Sequence, residues 1–221
     1  MWWEVLNRML RKIRSLVSNS DYFGIYDNAL SKKECEILIN QFEKSPQLRG
    51  MTYLDDNPEP QVRNDIKSSI ELKGGSKFSD RSVISNIIRP QLIKCMVKYN
   101  AAHPQLTPIH TWDYFDDYNF QKYENEDDGY KTWHCEHGSG VIGDRIMAWM
   151  FYLNNAKSGT EFMNYPTVRA KMGRCVIWPA FWTHIHRGAP NKGLKYIITG
   201  WISYQCKTIF IMVSRNVFSI R

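Results

Sequence analysis

The chain has no Cys-x-x-Cys pair, no apolar run long enough to span a bilayer, no internal repeat and no low-complexity stretch. Its five cysteines, Cys35, Cys95, Cys135, Cys175 and Cys206, are odd in number and scattered. This argues against a zinc knuckle or a disulfide framework and suits a reducing, cytoplasmic setting. A membrane-spanning helix needs about 20 consecutive apolar residues, so no transmembrane segment is expected. The N-terminus is basic and partly apolar, but Glu4, Arg8, Arg11, Lys12 and Arg14 interrupt it. Without a clean apolar core or a small-residue cleavage site, it does not read as a secretory signal.

What is there is a chain of 221 residues with 43% apolar side chains, enough for one domain, 1–221, with a real core. Aromatics make up 14% and include eight Trp, and such side chains suit a β-rich interior. Lys and Arg outnumber Asp and Glu by 29 to 22, a net charge of +7. That balance favours acidic partners (nucleic acid, an anionic membrane, an acidic protein), and it is also what an ordinary basic enzyme carries.

Helical spacing comes first. Trp2, Trp3, Leu6, Met9, Leu10, Ile13 and Val17 predict an amphipathic helix over 1–17. It would dock on the domain or turn its basic face to an anionic surface. A short strand is expected at 22–28. Ser31 and Glu34 form a Ser-x-x-Glu capping box that opens a helix with Cys35, Ile37, Leu38 and Phe42 on its apolar face. Residues 49–79 read as loop, long enough to serve as a lid, with a strand through Ile66 and Ile70. A second helix is predicted over 80–99 from near Asp80, with Pro90 kinking or dividing it.

From about residue 108 the period shortens. Strands are predicted near 118–124, 130–136, 145–153, 160–164, 167–171, 174–178, 183–187 and 195–203, separated by turn residues such as Asp127-Asp128-Gly129 and Asn191-Lys192-Gly193. Helices first and strands later is an α+β order, and many short strands argue for a sandwich or barrel. The β-prone tail, 206–221, carries no functional signal.

Four of the six histidines fall in two groups, Trp133-His134-Cys135-Glu136-His137 and Thr183-His184-Ile185-His186-Arg187. On a strand, residues i and i+2 share a face. His134 and Glu136 would then point together, as would His184 and His186, and His137 would point away. Two imidazoles and one carboxylate are the donor set that holds non-haem Fe(II) with positions left open for co-substrate and oxygen. Parity cannot choose between His184 and His186. The spacing His186-x3-Pro190-x4-Lys195 favours His186. Lys195, Ile197, Thr199 and Trp201 share a strand face, and a lysine facing a barrel interior needs an anion, because an unpaired buried ammonium is costly.

From Gln121 to Ser203 the chain resembles the prolyl 4-hydroxylase-like branch of the 2-oxoglutarate- and Fe(II)-dependent dioxygenases, in particular short bacterial and bacteriophage members. The resemblance rests on Gln121-Lys122-Tyr123, His134-x-Glu136, Arg145 to Tyr152-Leu153-Asn154, Gly159-Thr160-Glu161-Phe162, Gly173 to Pro179 and His186 to Trp201. It implies a double-stranded β-helix, a jelly-roll or cupin-like barrel over 106–205, with 1–105 as a helical support holding the first strands. It implies Fe(II) ligation by His134, Glu136 and His186. It also implies 2-oxoglutarate held by Lys195 and Tyr152, with Tyr123 and Thr199 as further contacts, O2 as co-substrate and room for ascorbate. The activity implied is hydroxylation of a peptidyl proline or another amino-acid side chain in a peptide or protein substrate, with succinate and CO2 formed. Glu136 departs from the Asp of most members, and the loop at 157–161 is shorter than usual. Two other readings stay open: oxidative demethylation of nucleic acid, and a jelly-roll binding module that has lost turnover.

Overall fold

The computed structural model describes residues 21–54, 57–72, 76–77, 82–106 and 112–204. The expected N-terminal helix, Asp80, His110, Cys206 and the tail lie outside them. The architecture is α+β: two helices cover one face of a large antiparallel sheet, and a smaller sheet faces it from the other side, as in a jelly roll.

The large sheet runs in the order β1 (Gly24–Tyr26), β13 (Cys175–Pro179), β10 (Arg145–Tyr152), β15 (Lys195–Tyr204), β8 (Trp112–Tyr123), β6 (Ile70–Leu72) and β2 (Gln47–Arg49), with β7 (Ser76–Lys77) also paired to β8. The small sheet is β12 (Tyr165–Arg169), β11 (Gly159–Phe162) and β14 (His186–Gly188). Two further pairs complete the strands, β3 (Thr52–Leu54) with β4 (Asn57–Gln61) and β5 (Lys67–Ser68) with β9 (Gly129–Tyr130).

Period-two alternation sorts the central strands. On β10, Met147, Trp149 and Phe151 join the core under the helices, while Ala148, Met150 and Tyr152 face the space between the sheets. On β15, Tyr196, Ile198 and Ile202 face the helices, and Ile197 and Trp201 face inward. Both faces are covered, so these strands read as almost continuous apolar runs. The inward face of β15 is therefore the face that carries Lys195.

The first helix, α1 (Lys32–Lys44), starts at the expected capping box: Ser31 Oγ accepts from Glu34 N at 3.2 Å, and Ser31 N donates to Glu34 Oε2 at 2.7 Å. Cys35, Leu38 and Phe42 are buried, whereas Ile37 falls off the apolar face and is exposed. The second helix, α2 (Val83–Ala102), is capped by Ser82 and runs through Pro90 undivided. Proline removes one backbone donor, but Pro90 is exposed, where water can satisfy the freed carbonyl. Ile84, Ile88, Leu92, Cys95, Met96 and Tyr99 pin the opposite face to the sheet.

Three sequence expectations need correction. The stretch 49–79 is not loop alone: its described part forms β3 to β7, and β6 continues the large sheet beside β8. These strands are only two to five residues long, too short for a periodic pattern to show, and among the described residues β6 alone sets apolar side chains, Ile70 and Leu72, against the main core. The expected strand at 130–136 ends at Tyr130; beyond it only a single bridge, His134 to His186, remains. The expected strand at 183–187 is a 3-10 turn, Trp182–His184, followed by β14.

Candidate metal centre and co-substrate pocket

His134 and His186 come from distant stretches, and their backbones hold each other. His134 N donates to His186 O at 3.0 Å, and His186 N donates to His134 O at 2.9 Å. Glu136 N and His137 N both donate to Ala180 O at 2.9 Å, which anchors the next turn of chain to the end of β13. Two reciprocal backbone contacts thus do what strand alternation was expected to do.

The three side chains converge. Glu136 Oε1 lies 3.6 Å from His134 Nε2 and 3.4 Å from His186 Nε2, and one ligand atom from each residue lies within 4.8 Å of the others. These separations are too long for charge-assisted hydrogen bonds. They suit three donors facing a common point. The tautomers agree: His134 Nδ1 donates to Thr132 O and His186 Nδ1 donates to His184 O, each at 2.9 Å, which leaves both Nε2 lone pairs toward Glu136. The His134 ring stacks on Tyr130 at 3.8 Å, and Trp178 and Phe162 hold the His186 ring. Burial pulls the Glu136 carboxyl upward, but without a metal a proton on the neighbouring imidazoles, where a cation would otherwise sit, outweighs it and holds the carboxyl well below the usual carboxylate range. Two imidazoles and an ionised carboxylate are a fitting set for Fe(II).

The centre opens into a pocket between the sheets, lined also by Tyr123, Tyr152, Lys195 and Thr199. Lys195 is 3% exposed. Its Nζ lies 3.1 Å from Ser158 Oγ and 4.7 Å from the centre of the Tyr123 ring. No carboxylate of the described residues pairs with it, and burial brings its pKa down from 10.5 to about 8. Tyr152 OH and Thr160 Oγ1 are hydrogen-bonded at 2.6 Å, and Tyr123 OH donates to Gln121 Oε1 at 2.7 Å. Thr199 Oγ1 donates to the Trp149 carbonyl at 2.8 Å.

His184 stands apart. It closes the 3-10 turn, so it does not share a face with His186. Its Nε2 donates to Asp21 O at 2.8 Å, its Nδ1 meets Thr183 Oγ1 at 2.9 Å, and its ring stacks on Tyr165. With Nε2–H pointing at a carbonyl, no lone pair faces the centre. His184→Ala should cost about 2–3 kcal/mol of stability through lost packing and a lost buried hydrogen bond. Its Mn(II) affinity should stay within about threefold of the parent, where loss of a ligand's outer partner costs ten- to hundredfold; urea midpoints and metal titration measure both. His137 is also elsewhere, with Nδ1 donating to Arg145 O at 2.9 Å.

Sequence reasoning passed over two neighbours of Glu136. Trp201 Nε1 donates to Glu136 Oε2 at 2.8 Å, and Arg145 Nη1 lies 3.5 Å from the same oxygen. Arg145 opens β10 just before a register shift, and no pattern in the sequence announces where that shift aims its guanidinium. Lys67 was also missed: it lines the pocket, paired at 2.5 Å with Glu71.

Residues 118–203 match the family model described as 2OG-Fe(II) oxygenase superfamily, a stretch that contains His134, Glu136, His186 and Lys195. No curated protein matches in sequence. Among solved structures, the chain is similar to a prolyl hydroxylase from Trichoplax adhaerens in complex with a hypoxia inducible factor peptide fragment (15% identity, TM-score 0.64, 92% of this chain and 93% of that one). It is similar also to the viral collagen prolyl hydroxylase of Paramecium Bursaria Chlorella virus-1 in its 2OG complex (18%, 0.55, 83% and 96%). A Pseudomonas putida prolyl-4-hydroxylase follows (14%, 0.53, 83% and 92%). At such identities the neighbours show the fold.

The matched segment is similar to the 2OG-Fe(II) oxygenases, a class that works with Fe(II), 2-oxoglutarate and O2, and it carries the three converging side chains and Lys195. In fold the chain is similar to prolyl hydroxylases, a viral and a bacterial one among them.

Proposed function

We propose that this enzyme hydroxylates a C–H of a peptidyl proline or of another amino-acid side chain, releasing succinate and CO2. His134, Glu136 and His186 hold the metal, and residues 106–205 form the catalytic unit on the support of 1–105. When bound, Fe(II) supplies the O2 activation that couples 2-oxoglutarate decarboxylation to substrate hydroxylation. The chain's own residues bind, orient and exclude water. The observation that carries the reading is a buried lysine, with no carboxylate partner among the described residues, in the same pocket as a His-Glu-His cluster.

Lys195 is the anchor for the distal carboxylate of 2-oxoglutarate, since a dicarboxylate brings the charge that the ammonium lacks. Ser158 holds its Nζ toward that end. Tyr152, turned by Thr160, offers its hydroxyl to the same carboxylate, and Tyr123 forms the wall over which the ammonium sits. Thr199 is spent on a backbone carbonyl, so it shapes the pocket through its methyl group. Met150 and Ile197 keep that end dry. At the rim, Arg187 lies 4.5 Å over the Trp133 ring and pairs with Glu161 at 2.8 Å, a polar and aromatic surface suited to an extended peptide. The four described cysteines are unpaired, which supports a reducing, cytoplasmic location.

A peptide library incubated with the iron-loaded enzyme, 2-oxoglutarate and O2 should yield members heavier by one oxygen, with succinate formed in step. Oxidation of single-stranded DNA instead, with every peptide unchanged, would overturn the peptide reading.

A further inference from the structure

Glu136 is longer by one methylene than the aspartate the resemblance leads one to expect, and a longer carboxylate can swing both oxygens onto one cation. The surroundings of Glu136 split its two oxygens. Oε1 faces His134 and His186 at 3.6 and 3.4 Å. Oε2 accepts the Trp201 indole N–H at 2.8 Å and has the Arg145 guanidinium at 3.5 Å. Trp201 and Arg145 also hold each other, with the guanidinium carbon 3.5 Å over the indole ring. The indole is only 8% exposed, and its backbone carbonyl accepts from Trp149 Nε1 at 3.3 Å. The next residue back, Gly200, leaves room for that tryptophan: a Cβ there would collide with the Trp149 indole ring. The arm that reaches Oε2 is therefore itself fixed by the core.

We propose that Trp201, backed by Arg145, is a positioning residue that ties down Glu136 Oε2 and so limits the glutamate to one metal-binding oxygen. This rests on the reading of His134, Glu136 and His186 as ligands. Its consequence is specific. A glutamate bound through both oxygens would take up one of the positions that 2-oxoglutarate and O2 need, so the indole N–H protects co-substrate binding more than metal binding. A tryptophan that only filled space would affect both alike.

Trp201→Phe keeps a ring for Arg145 to stack on and removes the N–H. Loaded with Co(II), the parent and the variant are compared by metal affinity, by visible ligand-field absorption and by 2-oxoglutarate titration without O2. The expected result is Co(II) affinity equal to or tighter than the parent, weaker Co(II) absorption from the added ligand atom, and 2-oxoglutarate affinity lower by about tenfold, the scale on which an outer partner of a ligand acts. Unchanged absorption and unchanged 2-oxoglutarate affinity would overturn the proposal, as would a parallel loss of both affinities. Failure of the parent chain itself to bind Co(II) would overturn the ligand reading instead.

Should Trp201→Phe not fold, the wild-type chain answers through its indole proton. On loading with Zn(II), the Trp201 N–H should stay downfield and slow to exchange with solvent, still bound to Glu136. A shift to the position of a free, fast-exchanging indole would show that the metal has taken both oxygens, and the proposal would fall.

Discussion

Lys195→Met is expected to make the protein more stable and at the same time unable to hold 2-oxoglutarate. Lys195 is buried with no carboxylate partner among the described residues, and burial brings its pKa down to about 8 where an ordinary lysine has 10.5. The sign follows from proton counting. Below pH 8 the ammonium is charged in both states, and the folded state carries the full cost of burying it. Between pH 8 and 10.5 the unfolded chain binds more protons than the folded one, so parent stability rises with pH across that window. Above 10.5 the amine is neutral in both states and the penalty is gone. A drop of some two to three pKa units corresponds to about 3 kcal/mol. Methionine fills a similar volume with no charge, so at pH 7 it should recover a gain of that order, and the gain should fade as pH passes from 8 to 10.5. Urea midpoints of parent and variant at pH 7 and pH 10.5 read this directly. Equal stability at pH 7 would show that the ammonium finds a partner or water after all.

The same lysine sets the pH profile of co-substrate binding. A dicarboxylate bound to the ammonium holds its proton, so the complex keeps Lys195 charged to higher pH than the free enzyme does. Affinity for 2-oxoglutarate should be level below about pH 8 and weaken by up to about tenfold per unit above it, one pKa unit being 1.36 kcal/mol. Calorimetric titration of the Zn(II)-loaded protein gives the curve. Lys195→Met should bind too weakly to titrate at any pH.

The second large effect is expected at the metal. His134→Ala, Glu136→Ala and His186→Ala should each lower Mn(II) or Fe(II) affinity by more than about a hundredfold, since even an outer partner of a ligand is worth ten- to hundredfold. Slow succinate formation without substrate should vanish with it. The fold should survive these changes, because the bridge between 134 and 186 is made by backbone atoms that every variant keeps. Metal present at about 100 times its dissociation constant stabilises the folded state by about 2.7 kcal/mol. The thermal midpoint of the parent should therefore rise with Mn(II) and fall back with chelator, while the three variants should not respond. A normal response in any one of them removes that residue from the ligand set.

Much of this was legible beforehand, for local reasons. Ser31 and Glu34 are three residues apart and satisfy each other's backbone without help from the rest of the chain. The inward face of β15 follows from period-two alternation along ten residues, so Lys195 could be aimed into the barrel from sequence. Where elements are short or polar the reading failed. The strands between 49 and 77 are too short to show a period: β5, β6 and β7 exist through pairing with β8 and β9, and β3 and β4 through pairing with each other. Parity placed His134 with Glu136 even though that stretch is no regular strand, and it failed for 184–186, where a 3-10 turn takes the strand's place.

Local sequence, then, determined which residues are candidates for the chemistry and that Lys195, Ile197, Thr199 and Trp201 share a face, since residue type, spacing and alternation are properties of neighbours along the chain. Tertiary structure decided how they meet. The crossing of two irregular segments turned His186 toward Glu136 and His184 away from it, and a strand irregularity at Arg145 with a core-anchored Trp201 divided the carboxylate's two oxygens. Those outcomes depend on hydrogen bonds between residues dozens of positions apart, which no local pattern encodes.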